Sequence, residues 1–332
     1  MKMSQWGEQK FIEYLAKEFP IMSQSIGIGD DCAVIAGEGG TALLVTTDAL
    51  VEGVHFLTDL ISPKDLGYKM VAVNVSDIAS MGGSPSSAFL SIALPRDTDC
   101  DWIKSFTSGM KEACDQFKLD LLGGDTVGSK RDVFLNFTVL GKVDTSHVKY
   151  RTSAKQGDII CVTGYLGDSL GGLRAFQDKL PNSTAIDHLI QAHVHPRIHL
   201  PEGVWLGAQR GVRAMMDISD GLDCDLQRMI EASNCSAEID VEKIPLSSSL
   251  KEVSRKHGWN ATEIGIIGGE DYALLLTIAP ENFEKMAHLY AEQFKEPLHP
   301  IGRIRAEATQ INYVGSEGFI SLPLKRYDHF ER

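Results

Sequence analysis

Asp144-Thr-Ser-His-Val-Lys-Tyr-Arg-Thr-Ser-Ala-Lys-Gln-Gly-Asp158 is the stretch on which the reading of this chain turns. It is polar, carries Arg151 and Lys155, and runs directly into an apolar segment, Ile159 to Thr163, that reads as a new strand. A polar segment between two apolar-patterned regions marks a domain boundary, here dividing the chain into residues 1–145 and 146–332. The 332 residues exceed one ordinary domain, and a hydrophobic fraction of 43% is enough to fill two cores.

Before the boundary, Val133 to Val143 alternates as a strand does, and Ala42 to Thr47 (ALLVTT) reads as a buried strand delivering Asp48 at its end. Pro63 to Met81 has a helical pattern with Pro63 at its start and Gly82-Gly83 as the stop. Leu66, Met70, Val73, Asp77 and Met81 share one face, so Asp77 aims inward and needs a partner. After the boundary, Arg213 to Ile218 predicts a strand leading to a helix with Ser219 as N-cap. Gly265 to Gly269 then leads through Glu270-Asp271 into a strand, Tyr272 to Ile278. Strands and helices mix in both halves without regular βα alternation, which predicts an α+β class built of two mixed αβ domains.

Composition narrows the function. With 45 acidic against 32 basic side chains the net charge is −13, the opposite of what a general binder of nucleic acid or anionic membrane requires. The first twenty residues mix charges with Phe11, Leu15 and Phe19 at helical spacing, an amphipathic helix and not a signal peptide. No run approaches the roughly 18 to 20 apolar residues of a membrane span. The six cysteines are scattered without a C-x-x-C pair, which predicts a reduced, cytoplasmic protein.

Glycines repeatedly stand beside acids: Gly27-Ile-Gly-Asp-Asp31, Gly123-Gly-Asp125, Asp217-Ile-Ser-Asp-Gly221 and Gly268-Gly-Glu-Asp271, with Thr46-Thr-Asp48 and Ser76-Asp77 at related positions. Acids gathered on turns repel one another unless a cation offsets them. Mg²⁺ suits such a set because it takes oxygen ligands and shares its shell with substrate phosphates. Asp31, Asp48, Asp77, Asp125 and Asp217 are the candidate ligands, and the free N–H groups of a helix starting at Ser219 would favour a phosphate. The usual nucleotide signatures, G-x-x-x-x-G-K-[ST], a complete G-x-G-x-x-G and the kinase H-R-D and D-F-G pair, are missing. Two further patterns compete. Gly167-Asp-Ser-Leu-Gly171 fits a serine nucleophile elbow, with Ser169 as an esterase nucleophile. His193-Val-His-Pro-Arg-Ile-His199 has the composition of a metal cluster, but Pro196 breaks the helical spacing, so these read as surface histidines.

Taken in order, Gly27-Ile-Gly-Asp-Asp-Cys-Ala33, Thr46-Thr-Asp-Ala-Leu-Val-Glu-Gly-Val-His-Phe56, Val73 to Gly82, Gly123-Gly-Asp-Thr126, Val162 to Ser169, Asp217 to Leu222, Gly268-Gly-Glu-Asp-Tyr272 and Tyr327-Asp-His-Phe330 resemble the thiamine-monophosphate kinase family. The resemblance runs from about residue 25 to 330 and implies a fold like that of aminoimidazole ribonucleotide synthetase. It also implies a homodimer joined through the amino-terminal domains, and ATP-dependent conversion of thiamine monophosphate to thiamine diphosphate with several Mg²⁺ ions. By motif, Asp31, Thr46, Thr47, Asp48, Asp77, Asp125, Asp217 and Asp220 resemble the metal ligands. Gly124, Asp125, Arg151 and Ser219 resemble the ATP contacts, and His55 and Glu270 the substrate-side residues. Where the family often has an aromatic wall for thiamine, this chain has Leu324. Residues 1–145 would then be the metal-binding, nucleotide-binding and dimerisation domain, with 146–332 completing the ATP and substrate site. Other ATP-dependent enzymes of the same superfamily, such as selenophosphate synthetase, are the neighbouring alternatives.

A phosphate monoester is largely ionised at pH 7, since its second pKa is about 6. The acceptor therefore needs no general base. Charge neutralisation around Asp48, Asp125 and Asp217 and in-line positioning would carry the reaction.

Overall fold

The computed structural model describes every residue except 1, 2, 22, 24, 307, 321, 323–329, 331 and 332. Leu324, singled out above for the substrate wall, and Tyr327 of the last quoted motif lie outside the described residues.

Five strands, β1 (Ala33–Ala36), β2 (Thr41–Val51), β3 (Ser84–Pro95), β4 (Asp120–Ser129) and β5 (Phe134–Asp144), form one sheet in the order β1-β2-β5-β3-β4. Only the β3/β4 pair is parallel. Alternation sorts its side chains: Leu44, Thr46, Leu50, Leu135, Phe137, Val139, Ala88 and Ile92 are buried. The helices Pro63–Ser80 and Cys100–Phe117 pack against one another beside this sheet. At their crossing a Cβ on Gly109 would sit 1.7 Å from the Lys64 carbonyl oxygen, so only glycine permits so close an approach.

Seven strands make the second sheet: β6 (Ile159–Thr163), β7 (Val212–Asp217), β8 (Ser236–Asp240), β9 (Leu274–Ile278), β10 (Leu298–Arg305), β11 (Ile311–Gly315) and β12 (Gly318–Ile320), in the order β12-β11-β8-β10-β6-β9-β7. Both of its faces are covered. Ile160, Val162, Ala214, Met216 and Leu275 belong to one core, while Ile159, Cys161, Met215, Leu274 and Leu276 belong to the other. This is why β6 and β9 read as continuous apolar runs. The architecture is two mixed αβ domains of the expected α+β kind.

Several boundaries shift. The strand carrying Asp48 runs on to Val51, so Asp48 lies inside the strand. The expected strand at Tyr272 begins at Leu274, because Glu270 and Tyr272 take left-handed backbone angles, φ 63° and 51°. The expected helix start at Ser219 is corrected: the helix is Leu222–Ala232, with Gly221 before it and Asp223 and Asp225 in its first turn. Helix Pro63–Ser80 is buried nearly all round, because helix Cys100–Phe117, its own sheet and Leu200–Gly207 of the second domain all pack on it. The amino-terminal helix Glu8–Glu18 leaves Phe11 and Tyr14 exposed. No helix among the described residues is long and apolar enough to cross a membrane.

Candidate active site

One line of side chains on helix Pro63–Ser80 organises the site. At 100° per residue, Lys69, Ser76 and Ser80 fall within about 20° of a common line. Each touches an acid from elsewhere. Lys69 Nζ lies 3.0 Å from Glu270 Oε1, Ser76 Oγ donates to Asp217 Oδ2 at 2.6 Å, and Ser80 Oγ donates to Asp31 Oδ2. Asp77, on the same helix, accepts from Thr46 Oγ1 of β2 at 2.5 Å. The Asp48 backbone N–H donates to Asn74 Oδ1 at 3.0 Å, which ties β2 to this helix.

Asp31, Asp48 and Asp77 of the first domain thus gather with Asp217 at the end of β7 in the second. Their electrostatics are unfavourable. Burial raises Asp48 to about 6, and the negative charges of Asp220 and Asp31 add to the rise. Burial, then Asp48, Asp217 and Asp31, hold Asp77 well above the ordinary carboxylate range. Asp217 is raised by burial and by Asp31, with partial relief from Ser76. The cation within the group is Arg151, in the turn Arg151–Ser153, which is hydrogen-bonded and ion-paired to Asp31. One guanidinium does not balance four carboxylates.

The described residues hold no group of three or more His, Cys, Asp or Glu side chains arranged to hold a metal ion. Asp31, Asp77 and Asp217 instead each spend an oxygen on a hydroxyl. Hard oxygen donors in ones and twos suit Mg²⁺, which binds through one or two carboxylates and fills its shell with water and substrate phosphates.

The remaining sequence-derived residues divide. Asp220 borders the group but is held by Arg228 at 2.5 Å, and Arg228 also binds Asp225 at 2.7 Å. Thr47 points to the opposite face of the sheet from Asp48, where its hydroxyl meets Thr138 and Asn136. Gly124 and Asp125 lie on β4 in an exposed run. Residue 124 must be glycine, since its φ is 154° and a Cβ would meet the Leu90 carbonyl oxygen at 1.7 Å. The register Ala49, Asn136, Ser91, Asp125 puts Asp125 three strands from β2, about 14 Å at ~4.8 Å per strand, on the face of Thr47. Asp125 is therefore not brought to the other acids within one chain. Ser219, no longer a cap, accepts the Glu270 backbone N–H through its carbonyl at 2.7 Å. The nearby helix start carries Asp223 and Asp225 in its first turn, and Asp225 Oδ2 accepts the Asp220 N–H at 3.0 Å.

His55 sits on the loop after β2, its Nδ1 accepting the Val51 N–H at 3.0 Å, and its charge helps lower Glu270. The histidine segment corrects the surface expectation: His193 and His199 are buried, and His195 stacks on Tyr68 with centroids 3.5 Å apart. Ser169 does not support a nucleophile elbow. It is only 1% exposed, and its Oγ and the Glu270 carboxylate both approach the same ring nitrogen, His193 Nδ1, at 2.9 and 3.3 Å. In a catalytic triad the serine and the acid use opposite nitrogens. Lys69, His193, Ser76, Ser80 and Arg228 were not anticipated. Of these only Lys69 left a signal, a lone cation inside an apolar helix.

The class emerges from comparison with known proteins. Residues 29–143 match the N-terminal domain, and residues 155–313 the C-terminal domain, of AIR synthase related proteins. Within that class, the chain is 36% identical to the thiamine-monophosphate kinase of Buchnera aphidicola subsp. Schizaphis graminum over 93% of each chain. It is 35% identical to that of Escherichia coli K12 over 92% of each. A solved structure described as AaThiL complexed with AMPPCP and TMP superposes with a TM-score of 0.87 at 32% identity, covering 99% of both chains. The chain belongs to the thiamine-monophosphate kinase family.

Proposed function

We propose that this protein transfers the γ-phosphoryl group of ATP to the phosphate of thiamine monophosphate, releasing ADP and forming thiamine diphosphate. The observation that carries the reading is the convergence of Asp31, Asp48 and Asp77 from one domain with Asp217 from the other, with Asp48, Asp77 and Asp217 raised by burial and by neighbouring acids. An acidic cleft of this kind accepts polyphosphates only together with cations. Bound Mg²⁺ would neutralise the phosphate oxygens as one P–O bond to ADP breaks and another forms to the acceptor.

The chain's own residues do the remaining work. Asp48, Asp77 and Asp217 supply carboxylate oxygens, and Thr46, Ser76 and Ser80 orient the acids. Arg151 adds a fixed positive charge beside Asp31. The acceptor oxygen is already ionised at pH 7, so no side chain needs to remove a proton. His55 and Glu270 are the substrate-side residues, and Gly124, Asp125, Arg151 and Ser219 the nucleotide side.

A homodimer completes this reading. The exposed edge strand β4 carries Leu121, Leu122 and Val127, next to exposed Phe89 on β3. An uncapped apolar edge of this length calls for a partner, and a second copy would bring its Asp125 toward the acids that it cannot reach in its own chain.

The test is ADP release with thiamine monophosphate, thiamine and aminoimidazole precursors side by side, with and without Mg²⁺. Turnover should require thiamine monophosphate and Mg²⁺ together; turnover with another acceptor alone rejects the reading. Mixing inactive Asp48→Ala and Asp125→Ala chains tests the dimer. If Asp125 acts across the interface, statistical heterodimers regain about a quarter of the unmodified rate; no recovery after verified subunit exchange places Asp125 in its own chain's site.

A further inference from the structure

Glu270 is held more firmly than a residue that merely lines a cleft. Its backbone is left-handed at φ 63°, a conformation that a non-glycine residue seldom adopts. Its N–H donates to Ser219 O at 2.7 Å, and the Tyr272 N–H donates to Ile218 O at 2.9 Å. Between them, Asp271 accepts the N–H groups of Gly167 and Ser169 at 2.6 and 3.3 Å. The loop is thus pinned on both sides of Glu270. The carboxylate is pinned as well, with Oε1 3.0 Å from Lys69 Nζ and Oε2 3.3 Å from His193 Nδ1.

Lys69 is 1% exposed, and its ammonium also donates to the His193 carbonyl oxygen at 2.9 Å. Burial, then the Lys69 charge, brings His193 down to about 4, so the ring is neutral at pH 7. Ser169 Oγ meets the same Nδ1 at 2.9 Å and holds the ring in place beside the Glu270 carboxylate. Burial alone would raise Glu270, but Lys69 and His193 reverse the effect and the carboxyl ends below its usual range.

We propose that Lys69 and His193 are positioning residues for the acceptor substrate: together they fix the Glu270 carboxylate as an oriented hydrogen-bond acceptor for the N–H-bearing organic end of the acceptor. This rests on the reading of Glu270 as a substrate-side residue. Lys69 offsets the charge of Glu270, so what the substrate meets is direction more than net charge. Lys69 comes from the first domain and His193 and Glu270 from the second, so the clamp is complete only when the two are docked.

The experiment is steady-state kinetics on the full-length protein with each substrate varied in turn. Lys69→Met should raise the KM for thiamine monophosphate at least tenfold and leave the KM for ATP within twofold. Lys69→Arg, which keeps the cation, should restore part of the loss. Lys69→Met combined with Glu270→Gln should be no worse than Glu270→Gln alone, because both remove one interaction. Equal rises in the two KM values, or effects that multiply, would overturn the clamp. Should Lys69→Met fail to fold, His193→Asn with and without Glu270→Gln reads the same coupling. If the unmodified protein releases no ADP with thiamine monophosphate, the proposed function falls and the clamp with it; normal turnover without the KM split removes the clamp alone.

Discussion

The two ends of the cleft use the same kind of side chain in opposite electrical states. At one end Asp31, Asp48, Asp77 and Asp217 crowd together with Arg151 as their cation, and burial and neighbouring acids raise Asp48, Asp77 and Asp217. At the other end Glu270 has Lys69 and His193, and it is lowered despite its burial. The first end is stressed until charge arrives with the substrates. The second is settled before they arrive. On the function proposed above, carboxylates that would bring in cations and one that would orient a ligand differ in their partners, not in their residue type.

Substitutions should separate the two ends. At the stressed end, Asp48→Asn should lower turnover by roughly a thousandfold or more, a loss of about 4 kcal/mol of transition-state stabilisation. The same change should raise the melting temperature of the metal-free protein, because it removes one repelling charge. A fall in both activity and melting temperature would make Asp48 a structural residue. At the settled end the signs reverse. Glu270→Ala leaves the buried Lys69 ammonium without its carboxylate and should destabilise the fold by about 3 kcal/mol in urea titrations. A neutral result there would mean that Lys69 finds another partner.

The smallest expected effect is on the pH dependence of stability. Asp48 titrates near 6 in the folded protein against 3.8 for the ordinary side chain, so the folded state holds its proton more tightly than the unfolded state. Its contribution to stability therefore falls as pH rises from about 4 through about 6. Thermal melts in a chelator should decline over this window, Asp48→Asn should flatten the decline, and Mg²⁺ should stabilise more at pH 8 than at pH 5. An unchanged slope in the variant would assign the dependence to other groups.

Asp31 and Asp217 were legible in the sequence because they stand at a glycine-flanked turn and at a strand end, and Asp77 because it shares the inward face of its helix; with Asp48, which lies inside its strand, they do converge. The strands were legible wherever burial is strong: Ile159–Thr163 is unchanged, and Val133 to Val143 shifts by one residue to Phe134–Asp144. What escaped depends on contacts far apart in the chain. The Ser76–Asp217 and Lys69–Glu270 pairs span residues that no local period relates. His193 and His199 were misjudged because Pro196 argues against a shared metal and says nothing about burial. Asp125 was grouped with Asp48 by motif, yet the sheet register separates them across three strands. Thr47 could have been sorted from Asp48 by strand alternation alone, since neighbours in a strand face opposite ways.

Helix Pro63–Ser80 meets Glu270 through Lys69, Asp217 through Ser76 and Asp31 through Ser80. An α-helix is stiff and rises 1.5 Å per residue, which sets Lys69 about 10 Å from Ser76 and about 16 Å from Ser80 along its axis. On the function proposed above, one rigid rod would gauge the span between the organic and the phosphate ends of the bound substrates. A molecule with the right end groups on too short or too long a tether would satisfy one end only, so length itself becomes a criterion of selection.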